Sequence, residues 1–135
     1  MSAPLTGLKV VELARILPRP WIGQTLANLG AKVIKVESPQ GDDTRTWGPP
    51  FIDREGDQSA AYFHCSNSEK DSIAIDFGDA ADLVKLKNII AESDILVENF
   101  KVGGLDKFRL DYESLKDEHP KLIYCSVIGF GQDGP

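Results

Sequence analysis

The sequence predicts an α/β fold, a mostly parallel sheet with helices on both faces, on three observations. Short runs rich in β-branched residues alternate with segments of helical period along the whole chain. Several of those runs are apolar at consecutive positions, as strands buried on both faces are. No internal repeat or low-complexity segment interrupts the alternation, so one layered core is expected.

The elements follow in order. Leu8 to Leu13 (Leu-Lys-Val-Val-Glu-Leu) reads as the first strand. From Pro20 to Leu29 the period changes: Trp21, Thr25, Leu26 and Leu29 recur at helical spacing, Pro20 suits a first helical position, and Gly30 stands where a helix ends. Ala31 to Glu37 is a second strand. Ser38 to Ser59 has no regular period and collects Gly41, Gly48, Pro49, Pro50 and Gly56. A connection of that length belongs to functional or disordered segments, and Trp47 and Phe51 favour an ordered loop that packs on something. A short helix or turn covers Ala60 to Cys65, and Ser72 to Phe77 is the third strand. Asp79 caps the next helix, with Asp82 in its first turn, and Leu83, Leu86 and Ile90, with Val84 and Ile89 alongside, form its apolar face. Asp94 to Glu98 is a fourth strand. Leu110 and Leu115 flank an N-cap Asp111 at the spacing of a hydrophobic staple, so a short helix runs towards Pro120. Lys121 to Ile128 is the fifth strand, followed by a loop from Gly129 to Pro135. A chain ending on a loop, with no closing element, is expected to be part of a longer one.

Composition narrows the function. The 135 residues, 41% hydrophobic and 27% charged, suit one soluble globular domain. The net charge of -6 disfavours nucleic acid as a partner, which needs a basic face. No apolar run approaches the roughly 20 residues that span a bilayer, and Met1-Ser2-Ala3-Pro4 has no signal-peptide character, so a cytoplasmic protein is expected. Cys65 and Cys125 are too few and too far apart for a disulfide framework or a zinc site, and are expected to be small buried hydrophobes. No metal is expected.

Ligands of open α/β sheets sit outside the carboxyl ends of the strands. The residues there are Ala14 to Arg19, Ser38 to Arg45, Asn99-Phe100-Lys101 and Gly129-Phe130-Gly131, a bed for an anionic, partly aromatic ligand such as a nucleotide. Each has a plainer reading. Arg15 can bind phosphate or pair with a local carboxylate, and Asn99 can bind a ligand or satisfy loop backbone; position separates neither pair. Arg45, beside Asp42 and Asp43, favours a loop-internal ion pair over ligand contact. Phe100 reads first as packing, Trp47 as a pin for the long loop, and His64 and His119 as structural. No glycine lies between Gly7 and Gly23, so the dinucleotide fingerprint is missing after the first strand. A phosphate loop and a Gly-x-Ser-x-Gly nucleophile turn are missing too.

Leu8 to Arg15, Asn28 to Glu37, Gly41-Asp42-Asp43-Thr44-Arg45 with Trp47-Gly48-Pro49-Pro50, Val97 to Phe100 and Tyr124 to Gly131 together resemble the opening of the class III CoA-transferases. That family also holds carnitine CoA-transferase, formyl-CoA transferase and α-methylacyl-CoA racemase. The resemblance implies a Rossmann-like, doubly wound large domain that binds CoA or acyl-CoA as substrate. It places CoA contacts at Leu17 and Pro18, at Ser38, at Ile75 on the third strand, at Asn99 and Phe100, and at Lys107. The family often carries Arg where this chain has Ser38 and Lys107, usually Ala-Gly-Pro in place of Pro18-Arg19-Pro20, and a more basic segment in place of Ser68-Glu69-Lys70-Asp71. Lost cations weaken phosphate contacts, each charge-assisted bond being worth about 1.5–3 kcal/mol.

The resemblance further implies transfer of CoA between carboxylic acids through an aspartyl-CoA intermediate, in an interlocked homodimer. The attacking aspartate would lie downstream of Pro135, Asp133 not being it, as would the glycine-rich loop and second domain. The 135 residues alone are therefore expected to fold without catalysing transfer. An acyl-CoA racemase of the same family, or a non-catalytic module binding CoA or a protein, are the competing readings. The loop from Gly41 to Pro50 favours a transferase, leaning towards dicarboxylates.

Overall fold

In the computed structural model, which describes residues 2–14 and 20–133, the chain opens on β1 (Lys9–Leu13), crosses through α1 (Pro20–Asn28) and returns as β2 (Lys32–Glu37). A 3-10 turn (Asp43–Thr46), the strands β3 (Phe51–Arg54) and β4 (Asp57–Ala60) and the one-turn helix α2 (Ala61–His64) follow. Then come β5 (Asp71–Ala74), α3 (Ala80–Ala91), β6 (Ile95–Glu98), a second 3-10 turn (Asp106–Phe108), α4 (Tyr112–Leu115) and β7 (Ile123–Ser126). The main sheet runs β5-β2-β1-β6-β7, every pairing parallel. The chain thus builds outward from β1 on one side and restarts on the other, so its switch point lies between β1 and β6.

Alternation along the strands sorts the core into two layers. Val11, Leu13, Val36 and Leu96 face Leu86 and Ile90 of α3, with Leu110 and Leu115 beside them. Val10, Val33 and Val97 face Ala27 of α1. Helix ends are where the side chains predict them. Asp79 accepts from the Asp82 amide at 3.0 Å, and Asp111 from the Ser114 amide at 3.1 Å. Gly30, at φ 98°, ends α1 in a left-handed turn, with Gly30 N bonded to Ala27 O and Ala31 N to Leu26 O.

Five expectations change. The stretch from Ser38 to Ser59 is not irregular throughout: β3 and β4 pair in an antiparallel hairpin whose two-residue turn is Glu55-Gly56, both at positive φ. The buried face of α1 is Pro20, Gly23, Gln24 and Ala27, while Trp21 and Leu29 are exposed, because the helix lies close over charged side chains described below. On α3, Val84 is exposed. The third strand stops at Ala74; Ile75 still donates to Glu37 O, but Asp76 turns the chain, accepting from the Gly78 and Asp79 amides. Likewise β7 spans only Ile123–Ser126, since Leu122 is still held in a turn by His119 O. Among the described residues no helix is long and apolar enough to cross a membrane.

Candidate functional site

At the carboxyl ends of β1, β2, β5 and β6 lies a cavity of about 260 Å³. Its walls include Leu13, Glu37, Ser38, Ile75, Phe77 and Phe100. The fold therefore gathers Ser38, Ile75 and Phe100, far apart in sequence, around one space. Ile75 is buried and forms apolar wall. Phe100 stacks on Phe77 with centroids 5.8 Å apart and planes 11° from parallel, and Phe108 meets Phe77 edge-on at 5.0 Å. The Phe100 ring is thus packed on Phe77 and still borders the cavity. Ser38 is half-buried at the rim, its hydroxyl donating to Gly41 O at 3.0 Å.

Glu37 stands in the same wall without leaving a free negative charge there. It accepts from Arg45 Nε (2.8 Å) and Nη2 (2.7 Å), from the Ser72 hydroxyl (2.6 Å) and from the Asp42 amide (2.7 Å). Burial works to raise its pKa, but these partners outweigh it and hold the carboxyl below the usual 4.5. Arg45 therefore pairs with Glu37, not with Asp42 or Asp43 as its neighbours in sequence suggested. Asp42 is drawn away by Lys35 and Thr44.

The remaining expected contacts are less concentrated. Asn99 is half-buried between Glu98 and Phe100 and engaged in contacts of its own. Lys107 is exposed, its Nζ 4.7 Å from the Phe108 ring, and borders neither this cavity nor the next. Leu17 and Pro18, with Arg15 and Arg19, lie outside the described residues. On the far side of Phe100 a wider hollow of about 770 Å³ is bordered by Glu98, Lys101, Asp111, Tyr124 and Ser126. Buried Glu98 accepts from the Phe100 amide at 2.7 Å, and the Tyr124 hydroxyl donates to Leu110 O at 3.0 Å. Burial first, then the charge of Glu98, pushes the Tyr124 phenol up. This hollow is the larger, but its acidic groups suit an anion poorly. The smaller cavity, where Arg45 neutralises Glu37 and exposed Asp76 is the other carboxylate of the wall, is the less acidic of the two.

Sequence reasoning missed a buried network of four charges beside this site. Lys35 Nζ lies 2.9 Å from Asp42 Oδ2 and 3.6 Å from Glu12 Oε1, and donates to Ala14 O at 2.8 Å. Lys70 Nζ reaches both Glu12 oxygens, at 3.1 and 3.0 Å, and Pro20 O at 2.7 Å. All four side chains are 0–1% exposed. Burial pushes the Glu12 carboxyl up and the Lys70 ammonium down, each holding the other's charge against that pull. Burial also opposes the Asp42 carboxylate, but hydrogen bonds from Thr44 and Lys35 and the Lys35 charge hold its pKa below 3.8. A signal existed. Glu12 in Val-Val-Glu-Leu and Lys35 in Val-Ile-Lys-Val are charges inside apolar strand runs, and charges that deep need partners.

Other expectations resolve simply. His64 bonds Ser59 at 2.7 Å, and Trp47 pins the long connection by packing on Tyr62 at 5.4 Å. Cys125 is half-buried, but Cys65 is exposed at the end of α2, its thiol donating to Tyr62 O, and is no core hydrophobe.

The family model for CoA-transferase family III matches residues 5–135. Over 98% of its length the chain is 53% identical to succinate–glutarate CoA-transferase of Agrobacterium fabrum, covering 34% of that protein. It is 44% identical to succinyl-CoA:glutarate CoA-transferase of Homo sapiens, again over 98% of the chain and 30% of the relative. A crystal structure of a CAIB/BAIF family protein from Brucella suis superposes with a TM-score of 0.97 at 64% identity, covering all of this chain and 36% of that one. The chain thus spans about a third of the relatives it matches.

Proposed function

This chain belongs to CoA-transferase family III, and we propose that residues 1–135 are the N-terminal, CoA-binding part of the large domain of an acyl-CoA:carboxylate CoA-transferase. The observation that carries the reading is the cavity at the strand ends, where Ser38, Ile75 and Phe100 meet. Stacked aromatic rings and an apolar floor fit the purine of CoA, and the rim at Ser38 offers a hydroxyl to its ribose or phosphate. Asn99, Lys107, Leu17 and Pro18 are further contacts in this reading, along the path of the pantetheine arm and the phosphates.

The chemistry is carboxylate exchange at a thioester. An aspartate outside residues 1–135 attacks the acyl carbonyl of acyl-CoA, forming a mixed anhydride and releasing CoA thiolate. The thiolate attacks the aspartyl carbonyl, freeing the donor acid and leaving an aspartyl-CoA thioester. The acceptor carboxylate then attacks that thioester, and thiolate return gives the new acyl-CoA and the free aspartate. Each step exchanges oxygen and sulfur nucleophiles without a change of oxidation state. Relatives named for succinate and glutarate support a dicarboxylate acceptor. An interlocked homodimer in the cytoplasm completes the proposal.

The test uses the full natural chain that carries these residues. Incubation with succinyl-CoA and glutarate is expected to yield glutaryl-CoA, and borohydride is expected to trap an enzyme-bound thioester. Failure to bind CoA at all overturns the reading. Residues 1–135 alone are expected to transfer nothing, and measurable transfer by them overturns that division of labour.

A further inference from the structure

Lys35 is buried, and its ammonium donates to Ala14 O at 2.8 Å, pairs with Asp42 Oδ2 at 2.9 Å and faces Glu12 Oε1 at 3.6 Å. These partners bracket the walls of the smaller cavity. Leu13, a wall residue of β1, sits between Glu12 and Ala14 in the chain. The wall run from Val36 to Gln40 sits between Lys35 itself and Asp42. One cation thus fixes both sides of two wall segments, and neither segment can shift without breaking a contact to it. Lys70 anchors the same Glu12 from the other side and ties it to Pro20 O.

A buried ion pair is a poor way to gain stability, since the desolvation of both charges offsets most of their attraction. It is a good way to fix register between chain segments, because any displacement strands a charge in apolar surroundings. Held walls lower the cost of ordering the site when a ligand arrives.

We infer that Lys35, with Asp42, is a positioning residue for the nucleotide end of CoA, acting through the cavity walls rather than by touching the ligand. The inference rests on the reading of that cavity as the seat of the CoA nucleotide. Lys35→Met removes the cation while keeping most of the volume. Asp42→Asn is the gentler second variant, since its remaining oxygen can still accept from the Thr44 amide and hydroxyl, as Asp42 Oδ1 does at 2.9 and 2.6 Å.

Both variants are made in the full natural chain, and melting temperature and far-UV circular dichroism establish which are folded. KM is then measured for succinyl-CoA and for succinyl-pantetheine, which lacks the nucleotide. Folded variants are expected to raise KM for the CoA thioester about tenfold, as loosened supports of a site do, with KM for the pantetheine thioester and kcat unchanged. A folded variant with unchanged KM for succinyl-CoA overturns the inference. So does an equal loss for both thioesters, which marks a merely structural residue. Absence of CoA binding by the unmutated protein is a separate result: it removes the reading of the cavity, and the inference with it.

Discussion

Arg45 closes a two-point fork on Glu37, Nε to Oε2 at 2.8 Å and Nη2 to Oε1 at 2.7 Å, with its guanidinium carbon 3.8 Å from the centre of the Phe63 ring. The pair ties the long connection after β2 back to the end of that strand. A planar fork over an aromatic face is a geometry lysine cannot copy. Arg45→Lys is therefore expected to lose about 1–3 kcal/mol of stability, measured by urea unfolding. An unchanged midpoint would mean that the fork contributes nothing net.

Acid should act on the same region with two opposite slopes. Glu37 and Asp42 have folded pKa values below their usual 4.5 and 3.8. Their stabilisation is present above those values and is lost as pH falls through the folded ones. Glu12 is raised above 4.5 by burial, so between 4.5 and its folded value the native state binds the extra proton and gains stability as pH falls. Unfolding free energy is expected to hold or rise on the way down to pH 4.5 and then fall steeply. Glu12→Gln should abolish the first limb and keep the second, and a monotonic fall in both proteins would refute the assignment.

Gly23 faces Glu12 so closely that an added Cβ would lie 1.7 Å from its Oε2 and 2.9 Å from its Cδ. In an exposed helix Gly→Ala gains up to about 1 kcal/mol. Here the gain meets an overpacking cost of about 1–3 kcal/mol, and shifting Glu12 also disturbs its bonds to Lys70. Net destabilisation is expected for Gly23→Ala, read as a lower melting temperature. A stabilised variant would show that α1 can lift from the sheet without loss.

The hairpin turn offers the opposite case. Glu55 adopts φ 54° and Gly56 φ 88°, the two left-handed positions of a two-residue hairpin turn. A left-handed conformation costs a residue such as Glu about 1–2 kcal/mol, and Asn tolerates it better. Glu55→Asn is expected to raise stability by about 0.5–1 kcal/mol without changing ligand affinity, since the turn is remote from the cavity walls.

The same turn explains part of what the sequence hid. Strands of the main sheet were legible because Val10-Val11, Val33-Ile34 and Leu96-Val97 are apolar at neighbouring positions, as a strand covered on both faces requires. The caps at Asp79 and Asp111 were legible because their chemistry is local. The hairpin was not, because Phe51 to Ala60 is largely exposed and carries no apolar alternation, leaving only Glu55-Gly56 as a weak turn signal. Of the site, Ser38 and Phe100 could be placed at strand ends and Ile75 came only with the family resemblance, but the partner of Arg45 could not be found. Asp42 and Asp43 are near it in the chain, whereas Glu37, eight residues away, is the one that the end of β2 turns towards it. The contacts of Lys35 to Ala14 and of Lys70 to Glu12 likewise join residues 21 and 58 positions apart, which no local pattern encodes.

The rim of the cavity gives the last test. Ser38 occupies a position where the family resemblance often implies Arg, and its own bond is a single one, to Gly41 O. Ser38→Arg forfeits that bond, about 0.5–1.5 kcal/mol, and offers a phosphate a charge-assisted pair of about 1.5–3 kcal/mol. The lost bond is missing from free and bound protein alike and so costs stability, not affinity; a charge-assisted pair of about 1.5 kcal/mol corresponds to CoA binding roughly tenfold tighter, measured by calorimetry. The gain should shrink as salt is raised, because a rim contact is screened. Pantetheine, which lacks the phosphates, should bind both proteins alike. Two carboxylates compete for the new side chain, exposed Asp76 and the already paired Glu37. An unchanged CoA affinity means either that these carboxylates capture the new side chain or that the phosphates run along another edge of the sheet.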